Sequence, residues 1–296
     1  MRRAAGQTHF HIWLLLPAFV FYTLFWMLPA LIALLSSFTQ WNGISFDSIR
    51  WVGLANYIQL FDDRWFWNAL RNNLLFVAVV LCSIIVLGMI YALILNAKPR
   101  GHSVFSTIFF IPIVLSSVVI GLLFTQMLSP TVGFVGPALA AMGMSGVEQY
   151  QWLGSRDTAL PMVMLVYIWR ELGFAILLLL AGLQTIPKDY LEAARIDGAT
   201  PWNITRYITL PLMRPVLTVV IVLVTTNAFL LFDLIIVMTN GGPFHASEVL
   251  SVYMYSQAFL KGNPGYGTAI AMMLFAITLC VSVVQLVLGG RGRKGA

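Results

Sequence analysis

Three ionisable residues, Arg170, Glu171 and Asp233, stand inside stretches that are otherwise almost wholly apolar. A charge at the centre of a bilayer costs at least ~2.5–3.5 kcal/mol on insertion scales, so each needs a counter-charge, a hydrogen-bonding neighbour or water. Two arrangements meet that need. An internal ion pair, Arg170 with Asp233, would fix the packing of two helices; alternatively the side chains line a polar path and meet a solute. Arg170 and Glu171 are consecutive, about 100° apart on a helix, so they cannot face one neighbour in the same way. Trp169, Asn227, Phe229 and Phe232 add rings and an amide to the same stretches. No residue set supports covalent catalysis. His9, His11, His102 and His245 lack metal-ligand spacing, and no Ser, His and Asp constellation can be assembled from their order. The chain has no Gly-x-x-x-x-Gly-Lys-Ser/Thr phosphate loop. Cys82 and Cys280 lie in apolar runs, where a thiol acts as a small hydrophobe, and they imply no disulfide.

The elements that carry these residues follow from composition. Of 296 residues, 59% are apolar and 9% charged, against roughly 25% charged in a soluble domain, and the mean hydropathy is +0.87. Such a chain cannot cover a water-facing surface, which excludes a soluble enzyme, a nucleic-acid-binding domain and a disordered regulator. The net charge of +6 is read as membrane topology, because Lys and Arg collect on the cytoplasmic side.

A membrane-crossing helix needs about 20 mostly apolar residues. Six segments qualify: 12–38, 74–95, 104–128, 159–183, 216–239 and 268–288. The expected fold is all-α, a polytopic membrane protein forming one transmembrane domain over residues 1–296. Pro17, Pro29 and Pro112 fall inside spans and are tolerated there because neighbouring groups re-satisfy the freed carbonyls. A β-barrel is excluded, since the runs lack period-two alternation. The first run is longer than the 7–15 apolar residues of a signal peptide and no small-x-small cleavage site follows it, so it is expected to be a retained span. With the N-terminus inside, eleven basic residues (Arg2, Arg3, Lys98, Arg100, Lys188, Arg195, Arg206, Arg214, Arg291, Arg293, Lys294) lie in the cytoplasm and five (Arg50, Arg64, Arg71, Arg156, Lys261) outside. That asymmetry predicts both termini in the cytoplasm. The outer stretch 39–73 holds Trp41, Trp51, Trp65 and Trp67, which suit the membrane interface or packing on the spans.

One cytoplasmic loop, 184–214, is long. Its residues 186–198 predict a short helix with Pro187 near the first turn and Gly198 at the end. Thr200 then offers a cap, Pro201 takes a first-turn position, and a second helix is expected from Trp202 until Pro211 stops it. Asp189, Glu192 and Arg195 form a charged stripe beside an apolar one of Leu191 and Ala194. From pattern alone this element is equally an interfacial amphipathic linker.

The residues narrow that choice. Glu192-Ala193-Ala194, then Gly198, then Ile208, Leu210 and Pro211, resemble the EAA loop of binding-protein-dependent ABC importer permeases: Glu-Ala-Ala, three residues, Gly, nine residues, Ile, one residue, Leu-Pro. Softer likeness runs from about 72 to 290, the five-helix, MetI-like permease core. The resemblance implies that the loop is a coupling helix seated in a groove of a cytoplasmic ATPase. Glu192 would contact that ATPase, Ala193 and Ala194 would permit close approach and Gly198 would set the interhelical angle; Ile208, Leu210 and Pro211 complete the coupling motif, and Pro211 with Pro215 offers a rigid connection into the fifth span. It also implies the partners: a second homologous permease subunit, two cytoplasmic ATPase subunits that bind ATP and Mg, and an extracytoplasmic solute-binding protein. This chain itself is expected to bind no cofactor or metal and no nucleic acid.

The run Ala181 to Pro187 with Asp197-Gly198-Ala199, and the segments Phe232-Asp233, Asn240 to Pro243, Tyr255 to Phe259 and Tyr266-Gly267, resemble the carbohydrate branch of that family, in which Gly often stands where this chain has Asn240. A sugar or sugar-like polyol is the substrate the resemblance implies. Sugar recognition needs aromatic faces for C–H surfaces and amides or carboxylates for hydroxyls, because an unpaired buried polar group costs about 1–3 kcal/mol. Asn227, Phe229, Phe232 and Asp233 supply both, with Trp169, Arg170 and Glu171 on the preceding span. The competing class is an ion-driven secondary transporter or channel, for which Asp233 and Glu171 would serve as relay carboxylates; the two halves of the chain show no repeat of the kind such transporters carry.

Overall fold

A computed structural model describes residues 15–97 and 99–291. Arg2, Arg3, His9, His11, Lys98, Arg293 and Lys294, and residues 12–14 of the expected first span, lie outside that range. The described chain is helical apart from one short hairpin, and it divides into two compact units, one built from residues up to Arg64 together with Met254–Met273 and the other from Trp65–Tyr253 with the last stretch from Leu274.

In the first unit, helix α1 (Leu15–Ser36) is apolar throughout and none of its most apolar window is buried within the chain, as expected of a helix whose solvent is lipid. Its turn Thr23–Met27 is a π turn, ending just before Pro29. Proline lacks an N–H and its ring crowds the carbonyl four residues back, and a widened turn at that place relieves both. After α1 come strands β1 (Thr39–Gln40) and β2 (Arg50–Trp51), antiparallel with Thr39 opposite Trp51, and helix α2 (Ala55–Asp62). Buried Asn56 ties these together, donating from Nδ2 to the carbonyls of Ser37 (2.8 Å) and Thr39 (2.9 Å). Phe38 packs against Trp51 and Tyr57, with ring centroids 5.7 and 5.5 Å away. The stretch 39–62 is thus a folded element rather than a loop.

The second unit holds most of the helices. Helix α3 (Arg64–Asn96) starts ten residues before the expected second span, because Phe66, Ala69, Asn73, Phe76, Val80 and Ile84 keep one buried face in helical register well upstream of the apolar run. The expected third span is two helices, α4 (His102–Val114) and α5 (Ser117–Met127), bent by 102°. Leu115 and Ser116 are extended at the corner, following Pro112, whose missing donor weakens the last turn of α4. A short helix α6 (Val135–Ala141) precedes α7 (Ala159–Gln184), the expected fourth span.

After α7 come the short helix α8 (Lys188–Ile196) and a long one, α9 (Pro201–Phe229). Here the expectation that Pro211 stops a helix is corrected: the helix continues through it. A π turn at Thr205–Thr209 again ends just before the proline, the same accommodation as at Pro29. The fifth span therefore runs unbroken from the 184–214 segment and ends at Phe229, ten residues earlier than expected. Leu230–Phe232 is non-helical, and a new short helix α10 (Asp233–Met238) follows. Helix α11 (Leu250–Tyr255) and helix α12 (Pro264–Arg291) complete the chain. Within this unit α9 and α12 exchange polar contacts, Gln285 Nε2 donating to Thr225 Oγ1 (2.9 Å) and the Thr226 and Ser282 hydroxyls lying 3.3 Å apart, a common way to register helices in lipid. Cys82 and Cys280 are free.

Candidate translocation site and coupling loop

Gly173 on α7 is the point on which the cleft wall depends. A Cβ there would lie 2.1 Å from the Phe109 carbonyl oxygen of α4, so only glycine permits this approach of the two helices. With α4 and α7 in contact, the α4–α5 corner meets the break between α9 and α10, and a cleft of about 470 Å³ opens between them. Ser117, the first residue of α5, donates from Oγ to Oδ2 of Asp233, the first residue of α10, at 2.9 Å. A carboxylate at a helix start also meets the positive end of the backbone dipole.

Helix α7 supplies the opposite wall through Tyr167, Arg170, Glu171 and Phe174, spaced i, i+3, i+4, i+7 and hence on one face. Arg170 lies 170 − 159 = 11 residues into α7, about 17 Å at 1.5 Å per residue, near the middle of a ~30 Å hydrocarbon core. Of the two arrangements open from the sequence, the Arg170–Asp233 ion pair is not the one formed. Arg170 Nη1 instead donates to Glu171 Oε1 at 2.5 Å, with side chains 24% and 20% exposed, and Asp233 bonds Ser117. Long side chains let two consecutive residues lean into one cleft although their Cα–Cβ bonds diverge. Arg170 Nε is buried without a hydrogen-bond partner among the described residues, so the guanidinium keeps an unused donor.

Of the seven pathway residues read from the sequence, Arg170, Glu171, Asn227, Phe232 and Asp233 line this cleft. Phe229 does not. It is buried at 1% exposure, and its carbonyl accepts from Asn73 Nδ2 (3.4 Å). Trp169 is also outside, packed edge-on to Phe124 of α5 with centroids 5.4 Å apart. The sequence reading puts Phe232 and Asp233 on one span with Asn227; the structure places them beyond the break that follows Phe229. Sequence reasoning missed Ser117 and Tyr167. Tyr167 was recoverable from its i, i+3, i+4 spacing to the two charges, whereas Ser117 depends on the α4–α5 corner.

The loop that holds the break in place is anchored by amides of α3. Asn72 Nδ2 contacts the carbonyls of His245 (3.2 Å), Ala246 (3.1 Å) and Glu248 (2.9 Å), and Asn68 adds a second bond to His245 (2.8 Å). Asn73 Oδ1 accepts from the Leu250 N–H (3.1 Å), and Ser251 Oγ donates to the Leu231 carbonyl. His245 Nδ1 and Glu248 Oε2 are 2.6 Å apart.

In the segment 184–214 the caps at Gly198, Thr200 and Pro201 are as the sequence predicts. Pro187 is the N-cap of α8. Gly198 has φ +78°, the left-handed C-cap conformation that glycine adopts without strain. The Ala199 N–H returns to the Ala194 carbonyl (2.9 Å) and the Gly198 N–H to that of Arg195 (3.1 Å). Thr200 Oγ1 accepts from the Asn203 N–H at 3.3 Å, with Pro201 next. Glu192 and Ala193 are exposed, Ala194 and Leu191 half-buried. Ile208 and Leu210 are half-buried and Pro211 is exposed at the head of the fifth span. Beside them Tyr190 (57%), Ile196 (86%), Trp202 (67%) and Tyr207 (68%) are exposed, large apolar side chains that the sequence reading left out.

The family described as "Binding-protein-dependent transport system inner membrane component" matches residues 84–294. The "Trehalose/maltose transport system permease protein MalF" of Thermococcus litoralis is 36% identical over 238 residues, 80% of this chain and 79% of that one. The "Multiple sugar-binding transport system permease protein MsmF" of Streptococcus mutans is 35% identical over 250 residues, 84% of each. Among solved structures, a chain of a bacterial ABC transporter involved in the import of the acidic polysaccharide alginate superposes with TM-score 0.84 at 24% identity, covering 97% of this chain and 96% of that one, which shows the fold. The ion-driven alternative is set aside by these matches. The chain belongs to the binding-protein-dependent transport system inner membrane components: it is an ABC-importer permease subunit, a multi-pass membrane protein of MetI-like fold whose ATP hydrolysis resides on a separate subunit.

Proposed function

We propose that the chain moves a sugar or sugar-like polyol through the cleft between the α4–α5 corner and the α9–α10 break. The observation that carries this reading is the convergence of two helix breaks on hydrogen-bonding groups at mid-membrane depth: Asp233, Asn227, Glu171 and the unused Arg170 donor, beside the Phe232 and Phe174 rings. Rings for C–H faces and amides or carboxylates for hydroxyls are what a carbohydrate requires. Relatives named for trehalose, maltose and multiple sugars support the class.

The chain pairs with a second homologous permease subunit, and both termini lie in the cytoplasm with the segment 184–214. Two cytoplasmic ATPase subunits carry ATP and Mg, and an extracytoplasmic solute-binding protein delivers the substrate. Helix α8 is the handle gripped by the ATPase, with Glu192 making the polar contact and Ala193 and Ala194 the close approach. Gly198 fixes the turn, and Ile208, Leu210 and Pro211 transmit the movement. The continuity of α9 from Pro201 to Phe229 supports this, because a push on the loop reaches the cleft at Asn227 through one unbroken helix. ATP binding favours one orientation of the permease pair through contacts that differ between states, and the pair rocks as rigid bodies. Uptake of radiolabelled maltose, trehalose and glycerol tests the reading. At least one is expected to enter, and Asp233→Ala with Asn227→Ala is expected to cut entry about tenfold through two lost hydrogen bonds. Normal uptake by the double variant at normal membrane levels overturns it.

A further inference from the structure

Three of the residues that line the cleft between the α4–α5 corner and the α9–α10 break are ionisable, and their charges do not cancel. Arg170 stands against the carboxylates of Glu171 and Asp233, and the remaining lining residues are neutral, so this chain's share of the path carries 1 − 2 = −1. The distribution is as uneven as the sum. Arg170 is committed to Glu171 through the 2.5 Å contact of Nη1 with Oε1. Asp233 meets no cationic side chain at ion-pair distance among the described residues; its neighbour is the neutral hydroxyl of Ser117, at 2.9 Å. The guanidinium that could have balanced Asp233 is thus spent on Glu171. The exposed carboxylate of Asp233 lines the cleft with its charge intact.

A charge so placed acts beyond hydrogen-bond distance. The low-dielectric walls of a membrane cleft screen it far less than bulk water does, and they focus its field on whatever occupies the cleft. An anionic solute there brings a like charge toward Asp233, an arrangement by which binding sites turn away wrong partners. A neutral hydroxyl bonds to the carboxylate without that penalty, and an ammonium group gains a charge-assisted hydrogen bond. Arg170 does not reverse the preference, because its charge is already matched by Glu171.

We propose that Asp233 is a charge filter: the path takes neutral sugars and amino sugars and rejects sugars that bear a carboxylate, phosphate or sulfonate. The proposal rests on the sugar reading given above and names the charge class of the solute within it. It assigns Asp233 a role in selection that a hydrogen bond to a hydroxyl does not require, since an amide would serve for that alone.

Three probes that share one skeleton and differ in a single end group test this: maltitol ends in a hydroxymethyl group, maltobionate in a carboxylate and 1-amino-1-deoxymaltitol in an ammonium. Their affinities for the assembled transporter are measured by saturation-transfer NMR in lipid nanodiscs without the binding protein, so that selection by the binding protein does not enter. The wild type is expected to bind maltitol and the amine, and to bind maltobionate at least about tenfold more weakly than maltitol. Asp233→Asn keeps an acceptor for Ser117 Oγ and removes the charge. It should close that gap about tenfold and weaken the amine. Glu171→Gln releases Arg170 and neutralises the cleft by a second route, so it should close the gap as well, and the double variant should favour maltobionate over maltitol. A loss of shape alone would weaken all three probes together and leave their ratios unchanged. Equal binding of maltitol and maltobionate by the wild type, ratios unmoved by both single variants, or no binding of any probe by a wild type that does take up sugar, overturns this proposal and leaves the transport reading standing. Absence of uptake of maltose, trehalose and glycerol by the wild type overturns both.

Discussion

Replacing Gly173 by alanine adds a single methyl group at the contact between α7 and α4. That methyl would sit 2.1 Å from the Phe109 carbonyl oxygen and 3.1 Å from Ile113 Cδ1, where ordinary contact begins at 3.4 Å. The difference, 3.4 − 2.1 = 1.3 Å, has to come from movement of one helix, because the obstacle is backbone and has no rotamer to change. Overpacking of this kind costs about 1–3 kcal/mol. At about 2–4 °C per kcal/mol for a chain of this size class, a 2 kcal/mol loss lowers the melting temperature by about 4–8 °C. The same displacement moves Ile113 away from Tyr167, Arg170 and Glu171, which share the cleft wall, so uptake falls as well. Thermal melting of the assembled transporter in nanodiscs, run beside Gly290→Ala, reads the effect. A Cβ at Gly290 meets nothing within 4 Å, so that control should be neutral or slightly stabilising. Wild-type melting and uptake in Gly173→Ala would refute the claim that this contact shapes the cleft.

Gly198→Val introduces no clash, since nothing lies within 4 Å, but forces a β-branched residue to φ +78° at about 1–2 kcal/mol; ATPase activity is expected to persist while uptake drops, measured as the ratio of the two, and an unchanged ratio argues against a coupling role. Asn72→Ala removes contacts to the His245, Ala246 and Glu248 carbonyls and should cost about 1–3 kcal/mol in thermal melting; an unshifted melt shows that the loop is held by other means. For the Arg170–Glu171 pair, Arg170→Met alone should destabilise by about 1–3 kcal/mol, less than the ~3–5 kcal/mol of a fully buried pair because the side chains keep 24% and 20% exposure. Arg170→Met with Glu171→Leu should melt near the wild type yet transport poorly, and full uptake by that double variant removes the pair from the pathway.

The helix ends within 184–214 were legible in the sequence because their signals are local: Thr200 caps, Pro201 starts, and Gly198 closes a helix within a few residues of where each acts. The break after Phe229 was not. Leu230-Leu231-Phe232 contains neither proline nor glycine, and an apolar pattern gives no reason to stop there. What stops the helix is remote in sequence: Asn73 takes the Phe229 carbonyl and Ser251 that of Leu231, so side chains on other helices satisfy the groups that a continued helix would have used. Pro211 misled in the opposite direction. Its cost in a regular helix is real, but a π turn one step upstream absorbs it, and a periodicity argument built on 3.6 residues per turn has no place for that. The cleft residues came through in part because charge in an apolar run is conspicuous, while Ser117 became visible only once α4 and α5 were seen to bend by 102°.

The central claim, that this chain is the membrane path of an ATP-driven importer, is tested most directly in proteoliposomes containing the chain with its permease partner and ATPase subunits, the binding protein and labelled sugar outside, and ATP inside. The account predicts uptake that starts with ATP and the binding protein and stops when either is withheld. Uptake driven by an ion gradient, with no nucleotide and no ATPase subunit present, would contradict it.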